Sequence, residues 1–359
     1  MSPYLLAPFG GIVADKFERR LLVRFTRLGA FAVTSTLFVL AITGVIAVWM
    51  VVGMALVQGL VRAVEIPSDQ SLLANVVPAG HLANAVSLSS MTQYGARAVG
   101  PVLAGPLLAT TGVEGAYAIG AVFALLAFTS IRRVQVRSRG GVGSIRDVFA
   151  NLREGLAYVR ATRPVLALFA LVVAHCSLTM SFDAMLPGFA ETDLHSPSSG
   201  FTLMTMGVGI GALVGTFLIA MFPGAGRGRL FLWTGVFSGV TPILMSQSHM
   251  IPVAVVNTTL MGSSQAMFMA LSAILLQEVV PDAVRGRVMS LYLMSAGGIM
   301  AMANLLFGSL ADAWGAPVLF LAPGALFVAI IAASAFAVPH LRRLFQTGGF
   351  TAAASDAPA

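Results

Sequence analysis

Leu72–Pro78 reads LLANVVP, and 203 residues further on Leu275–Pro281 reads LLQEVVP. The same offset pairs Ser87 with Ser290, Leu88 with Leu291, Gly105 with Gly308, Leu107 with Leu310 and Gly112 with Gly315. Apolar helices resemble one another cheaply, but an offset that stays constant through a loop and the next apolar run indicates a duplicated unit. Two parallel halves related by an axis along the membrane normal are a recurring plan among multi-span proteins.

The composition requires a membrane. Of the 359 residues 57% are hydrophobic and only 10% charged, and the mean hydropathy is +0.89. Soluble domains carry about 25% charged residues, so this chain cannot cover a water-facing surface. Apolar runs recur at close to the roughly 20 residues that a helix needs to cross a bilayer. A short run at 2–14 precedes complete spans near 25–43, 46–63, 84–110, 115–131, 164–190, 200–222, 229–247, 250–276, 286–311 and 316–338. The expected fold class is an all-α membrane protein of two pseudo-symmetric helical bundles, with ten complete spans and an N-terminal remnant.

The net charge of +7 is distributed by side. Threading the spans alternately puts every Lys and Arg except Arg97 in or beside the loops near 15–24, 64–82, 132–163, 223–229 and 278–287 or the tail after 339. The opposite loops carry Glu114, Glu191, Asp193 and Asp312. The positive-inside rule makes the basic set cytoplasmic, the C-terminus included. The charge is thus a topology signal, and nucleic acid is not an expected partner.

Carried backwards, the 203-residue offset places the 200–222 span on the remnant and leaves the 164–190 span without a counterpart. The remnant would cover about 20 Å of a hydrocarbon core near 30 Å thick. The chain as given is therefore expected to lack one span and part of another at its start. The domain expectation is an incomplete first bundle at 1–132, a cytoplasmic linker with an amphipathic helix at 133–163, a six-span bundle at 164–340 and a disordered cytoplasmic tail at 341–359. In the linker, Ile145, Val148, Phe149, Leu152, Leu156 and Val159 share one helical face, which suits a helix lying on the inner membrane surface.

Cys176 is the single cysteine, so an intrachain disulfide or a cysteine metal cluster is excluded. No CxxC, HExxH, phosphate-binding loop or GxSxG appears in a credible context, so no enzyme, cofactor or metal site is expected and a primary ATP-driven pump acting alone is excluded. No basic region follows Met1 as it would in a cleavable signal peptide.

Gly11–Arg20 reads GIVADKFERR, and its Gly11, Asp15, Lys16, Arg19 and Arg20 resemble the loop signature of the major facilitator superfamily, with Glu18 where that family usually has a second glycine. The stretch GLVRAVEIPSDQSLLANVVPAGHLANAVSLSS, followed by ARAVGPVLAG, is similar to the subgroup of drug and siderophore exporters that includes the enterobactin exporter and the transmembrane secretion effectors. The resemblance implies a substrate site near the midplane between two bundles, alternating access, and a loop that stabilises the outward-facing state. Independently of it, Asp15 would lie near the helix N-terminus beginning at Val284, whose partial positive charge attracts a carboxylate. Arg19 could reach Glu65 or Asp69, and Arg62, Glu65 and Asp69 have the spacing of a local ion-pair stripe. The alternative is that these are solvated topology charges.

Gly95, Gly100, Pro101 and Gly105 resemble the family's antiporter signature with imperfect spacing, and Arg97 lies among them. Such residues allow close helix contact and a proline bend, or mark a simple packing kink. His175, Thr179 and Asp183 follow one another at steps of four in the 164–190 span. Asp183 is the candidate for proton coupling or for a cationic substrate, with His175 able to share the proton. The structural alternative is a hydrated Asp183 and a packing His175. Methionines at 180, 185, 204, 206, 245, 261, 267 and 269 either line an adaptable cavity or fill the core.

The resemblance implies proton-coupled export of a small amphipathic molecule, a drug or a siderophore, across the bacterial plasma membrane; the sequence does not set the oligomeric state, and a monomer is the expectation. The competing expectation is a truncated chain that inserts without transporting and serves at most as an interaction partner.

Overall fold

A bilayer core offers no water to a stray amide, so a chain this apolar has to satisfy its backbone within helices. The computed structural model describes residues 18–77, 82–132, 145–197, 199–221 and 226–347. Twelve helices run through them: α1 (Arg19–Ile42), α2 (Val48–Val76), α3 (Leu82–Ile131), α4 (Ile145–Ala161), α5 (Arg163–Leu178), α6 (Leu186–Thr192), α7 (Ser199–Met221), α8 (Arg227–Ser246), α9 (Ile251–Val279), α10 (Asp282–Trp314), α11 (Ala316–Ala337) and α12 (Pro339–Thr347).

The 203-residue repeat reappears in the helix limits. Shifted by that offset, α2 coincides with α9 at both ends. Within α3, Gly112 interrupts the helix at φ 71°, and its repeat partner Gly315 caps α10 at φ 75°. A positive φ is costly for a residue with a Cβ, so the chain turns at the same repeat position in both halves because both carry glycine there.

Among the described residues, seven helical stretches are long and apolar enough to cross a membrane, and eight if the pair 152–161 and 163–178, bent by 109°, counts as one. That is fewer than the ten expected from the sequence. Arg227 and Arg229 in its first turn, with Thr234, Ser238 and Thr241 further along, lower the mean hydropathy of α8. The expected 164–190 span is divided, because α5 stops at Leu178 and the chain re-forms a helix only at Leu186.

The chain divides into two compact units, Met1–Gln93 with Val102–Asn151, and Tyr94–Pro101 with Leu152–Ala359. In the first, α1 packs antiparallel on α2, with Gly29 so close to Val61 that a Cβ would stand 3.0 Å from a valine methyl. In the second, Gly207, Gly211 and Gly215 form a stripe of α7 that lies on α9. A Cβ at Gly211 would collide with the carbonyl oxygen of Thr259, and one at Gly262 with that of Val208. Small residues at four-residue spacing let apolar helices gain dispersion contact where lipid supplies no hydrophobic drive.

The second unit's core is continuous from Val159 and Leu168 through Phe231, Phe268 and Phe327 to Leu341 and Leu344. The last two correct the expected tail at 341–359: helix α12 occupies 339–347 and buries its Leu341 and Leu344 face. Helix α4 of the linker runs Ile145–Ala161, with Val159 buried and Leu156 exposed.

Gly211→Leu should separate α7 from α9 by overpacking against backbone, at a cost above the roughly 1–3 kcal/mol of an ordinary overpacked core. Gly53→Ala, where an added Cβ meets nothing within 4 Å, serves as the control. Thermal unfolding in detergent should show a large fall for the first and none for the second.

Candidate functional site

Two groups of polar side chains stand out against the apolar helices. The first joins α1 to α2. Arg27 reaches across from α1 to Glu65 and Asp69 on α2, with nitrogen–oxygen distances of 2.6 Å to each. The antiparallel pairing of α1 and α2 brings the start of one against the end of the other, so one guanidinium meets two carboxylates a helical turn apart. Burial raises the Asp69 carboxyl from 3.8 to about 6, Arg27 opposes that shift, and the neighbouring Glu65 adds to it.

The sequence had assigned these acids to Arg19 or Arg62. Arg62 is exposed, and it is Arg27 that holds Glu65. Arg20 donates from Nη2 to the carbonyl of Arg132 at 3.3 Å. Gly11, Asp15 and Lys16 lie outside the described residues, as does the side chain of Arg19. The second unit repeats the device: Arg227, the repeat partner of Arg24, pairs from the start of α8 with Glu278 near the end of α9. Arg287 also pairs with Glu154 of α4 at 2.5 Å.

The second group is buried within the second unit, where α5 ends. Thr179 Oγ1 lies 2.7 Å from His175 Nδ1 and donates 3.0 Å to the His175 carbonyl. Ser238 Oγ of α8 lies 3.2 Å from the same ring nitrogen and 3.3 Å from Thr179 Oγ1. Gln265 of α9 donates from Nε2 to the Thr179 carbonyl at 2.8 Å, and Ser181 Oγ donates to the Cys176 carbonyl at 3.0 Å. A helix that ends leaves carbonyls without intrahelical donors, and away from water side chains have to supply them. The cluster therefore permits a break in α5 that the apolar sequence alone would not tolerate.

His175 is fully enclosed, its ring 4.2 Å from Phe268 and 5.3 Å from Phe327 between centroids. Its Nε2 has no hydrogen-bond partner among the described residues. Asp183 does not join the cluster. It is exposed in the turn between α5 and α6, because helical steps of four cease to place residues on one face once the helix stops at Leu178. In the glycine and proline stretch of α3, an added Cβ at Gly100 would meet nothing within 4 Å among the described residues. The side chains of Arg97 and Pro101, like the surroundings of Gly95 and Gly105, lie outside them. Arg27, Ser238 and Gln265 were absent from the sequence reading. A signal for Arg27 was available in the α1–α2 hairpin register, and one for the break in the succession Ser177, Thr179, Ser181.

The profile of the transmembrane secretion effector family matches residues 3–348. Macrolide efflux protein A of Streptococcus pyogenes is 24% identical over 340 residues, which covers 91% of this chain and 82% of that protein. The staphyloferrin A transporter of Staphylococcus aureus is 22% identical over 313 residues, covering 87% of this chain and 78% of that one. Among solved structures, a POT family transporter in complex with 5-aminolevulinic acid superposes with a TM-score of 0.74 at 12% identity, covering 95% of this chain and 87% of that one. At that identity the likeness concerns the fold. The match along nearly the whole length, together with the duplicated helical plan, places the chain in the transmembrane secretion effector family of major facilitator superfamily membrane transporters.

Proposed function

We propose that this transporter exports a small amphipathic molecule from the bacterial cytoplasm by alternating access, driven by inward proton flow. The observation that carries the reading is the match over 91% of the chain to a macrolide efflux protein, supported by a second match to a siderophore transporter. Ten crossings are assigned to α1, α2, α3 before and after Gly112, α5 with α6, α7, α8, α9, α10 and α11. The basic ends of α1 and α8 face the cytoplasm by the positive-inside rule.

Each polar group has a part in this cycle. Arg27 with Glu65 and Asp69, and Arg227 with Glu278, act as ion-pair clamps at the cytoplasmic ends of the two units, joined by the loop residues Gly11, Asp15, Lys16, Arg19 and Arg20 and by Arg62. The bend at Gly95, Arg97, Gly100, Pro101 and Gly105 belongs to the antiporter cycle. The interruption at Thr179 makes α5 and α6 a discontinuous span, the kind of element on which transporters build substrate and ion sites. His175 and Thr179 are the first candidates for the proton or a substrate donor group, and Asp183 is a carboxylate at the outer approach. The cycle has to uncover His175 before it exchanges a proton.

Cells lacking their own efflux pumps and expressing this chain should accumulate less macrolide than control cells, and a protonophore should abolish the difference. Equal accumulation with and without the chain in the membrane would reject export of this substrate class.

Asp69 gives the clamp a pH response. Its folded-state pKa of about 6 exceeds the ordinary 3.8, so this carboxyl lowers stability as pH rises through that window. Apparent melting temperatures measured between those pH values should show that decline in the parent and its absence in Asp69→Asn.

Gln265→Leu removes the donor to the Thr179 carbonyl and leaves a buried acceptor unpaired, a loss of about 1–3 kcal/mol. The variant should melt earlier than Ser238→Ala, whose hydroxyl shares its contacts with Thr179. Equal melting of the two would show that the α5 break does not depend on Gln265.

A further inference from the structure

The antiparallel arrangement of α1 and the second part of α3 leaves an apolar groove of about 290 Å³ lined by Phe31, Phe38, Ala118, Ala121, Val122 and Leu125. In the other half of the repeat the corresponding helices approach closely. The partners of Phe31, Phe38 and Ala121 are Thr234, Thr241 and Gly324, and there α8 and α11 meet at their backbones: a Cβ on Gly324 would stand 2.7 Å from the Gly239 carbonyl oxygen. Glycine and threonine close the crevice in one half, and two phenylalanines hold it open in the other. An opening of this size and polarity in a membrane-embedded wall fills with hydrocarbon.

What distinguishes it from ordinary lipid contact is the charge at one end. Arg24 lies two turns before Phe31 on α1, Arg132 lies about two turns beyond Leu125 on α3, and Arg20 joins the two helix ends through its bond to the Arg132 carbonyl. The Nε of Arg20 is buried without a partner among the described residues. Arg27 is engaged by Glu65 and Asp69, but no carboxylate among the described residues pairs with Arg24 or Arg132. About 21 Å along α1 separates the levels of Arg24 and Phe38, a distance that an extended fatty acyl chain covers.

We infer that this crevice is a binding site for an anionic phospholipid, with one acyl chain between Phe31 and Phe38 of α1 and Ala118–Leu125 of α3 and the phosphate on Arg20, Arg24 and Arg132. The site commits to a lipid rather than a free phosphate, because the apolar groove and the basic end each supply part of the affinity.

The test is lipid retention by the purified full chain in detergent, measured by native mass spectrometry with dioleoylphosphatidylglycerol, dioleoylphosphatidylcholine or glycerol 3-phosphate added. Phosphatidylglycerol should be retained at least about fivefold over phosphatidylcholine, the ratio that one basic residue near a membrane surface provides, and glycerol 3-phosphate should not be retained. Val122→Trp, which fills the groove, should remove the retained phosphatidylglycerol. Arg24→Gln with Arg132→Gln, on the helix ends, should bring the two lipids to parity even if the tryptophan variant fails to fold. Equal retention of the two lipids by the parent would overturn the assignment, as would undiminished phosphatidylglycerol preference in the arginine variant or retention of glycerol 3-phosphate alone.

Discussion

The absence of water from the bilayer core governs this chain more than any single contact. Every backbone amide and carbonyl at that depth needs a partner within the protein, which makes the fold helical and makes each interruption a local problem with a local solution. At Gly112 and Gly315 the solution is a residue that can adopt a positive φ. At Thr179 it is a set of side chains, Gln265 from α9 with Thr179 itself and Ser181 just beyond the end of α5, donating to carbonyls that the ended helix leaves open. The first kind of interruption lies at the edge of a span and turns the chain around. The second lies within an expected span and gathers polar groups there, so a device that repairs the backbone also creates the chemically distinct spot inside the second unit.

The same constraint sends the charges to the helix ends, where they become structural ties. Arg27 on two carboxylates in one half and Arg227 on Glu278 in the other each tie a helix to the one that follows it. Exposed ion pairs contribute little to stability, typically about 0–1 kcal/mol, which applies to Arg227 with Glu278, whereas Arg27 with Glu65 and Asp69 is partly buried.

Much of the architecture was legible because duplication and topology leave signals that survive in a single sequence. The offset between LLANVVP and LLQEVVP gave helix limits that coincide for α2 and α9, and the paired glycines marked both turns. The sites were less legible. Glu65 and Asp69 were set against Arg19 and Arg62 and not against Arg27, two turns into α1, because the antiparallel register that decides the partner has no local signature. Asp183 was read onto the face of His175 because HCSLTMSFDAM contains neither Gly nor Pro to announce a break. Gln265 of α9, which donates to the Thr179 carbonyl, and Ser238 of α8, whose hydroxyl meets His175 Nδ1 and Thr179 Oγ1, lie at sequence distances that no local pattern reveals. Tail residues Leu341 and Leu344 were passed over for a similar reason, since one turn of apolar spacing gains its meaning only from the core it meets.

The proposed proton-driven export can be measured with the purified chain in liposomes, as macrolide flux against an imposed pH gradient with no nucleotide present. Flux should follow the direction and size of the gradient and vanish when it is collapsed. Flux that ignores the gradient, or none from a correctly inserted and folded chain, would contradict the proposal.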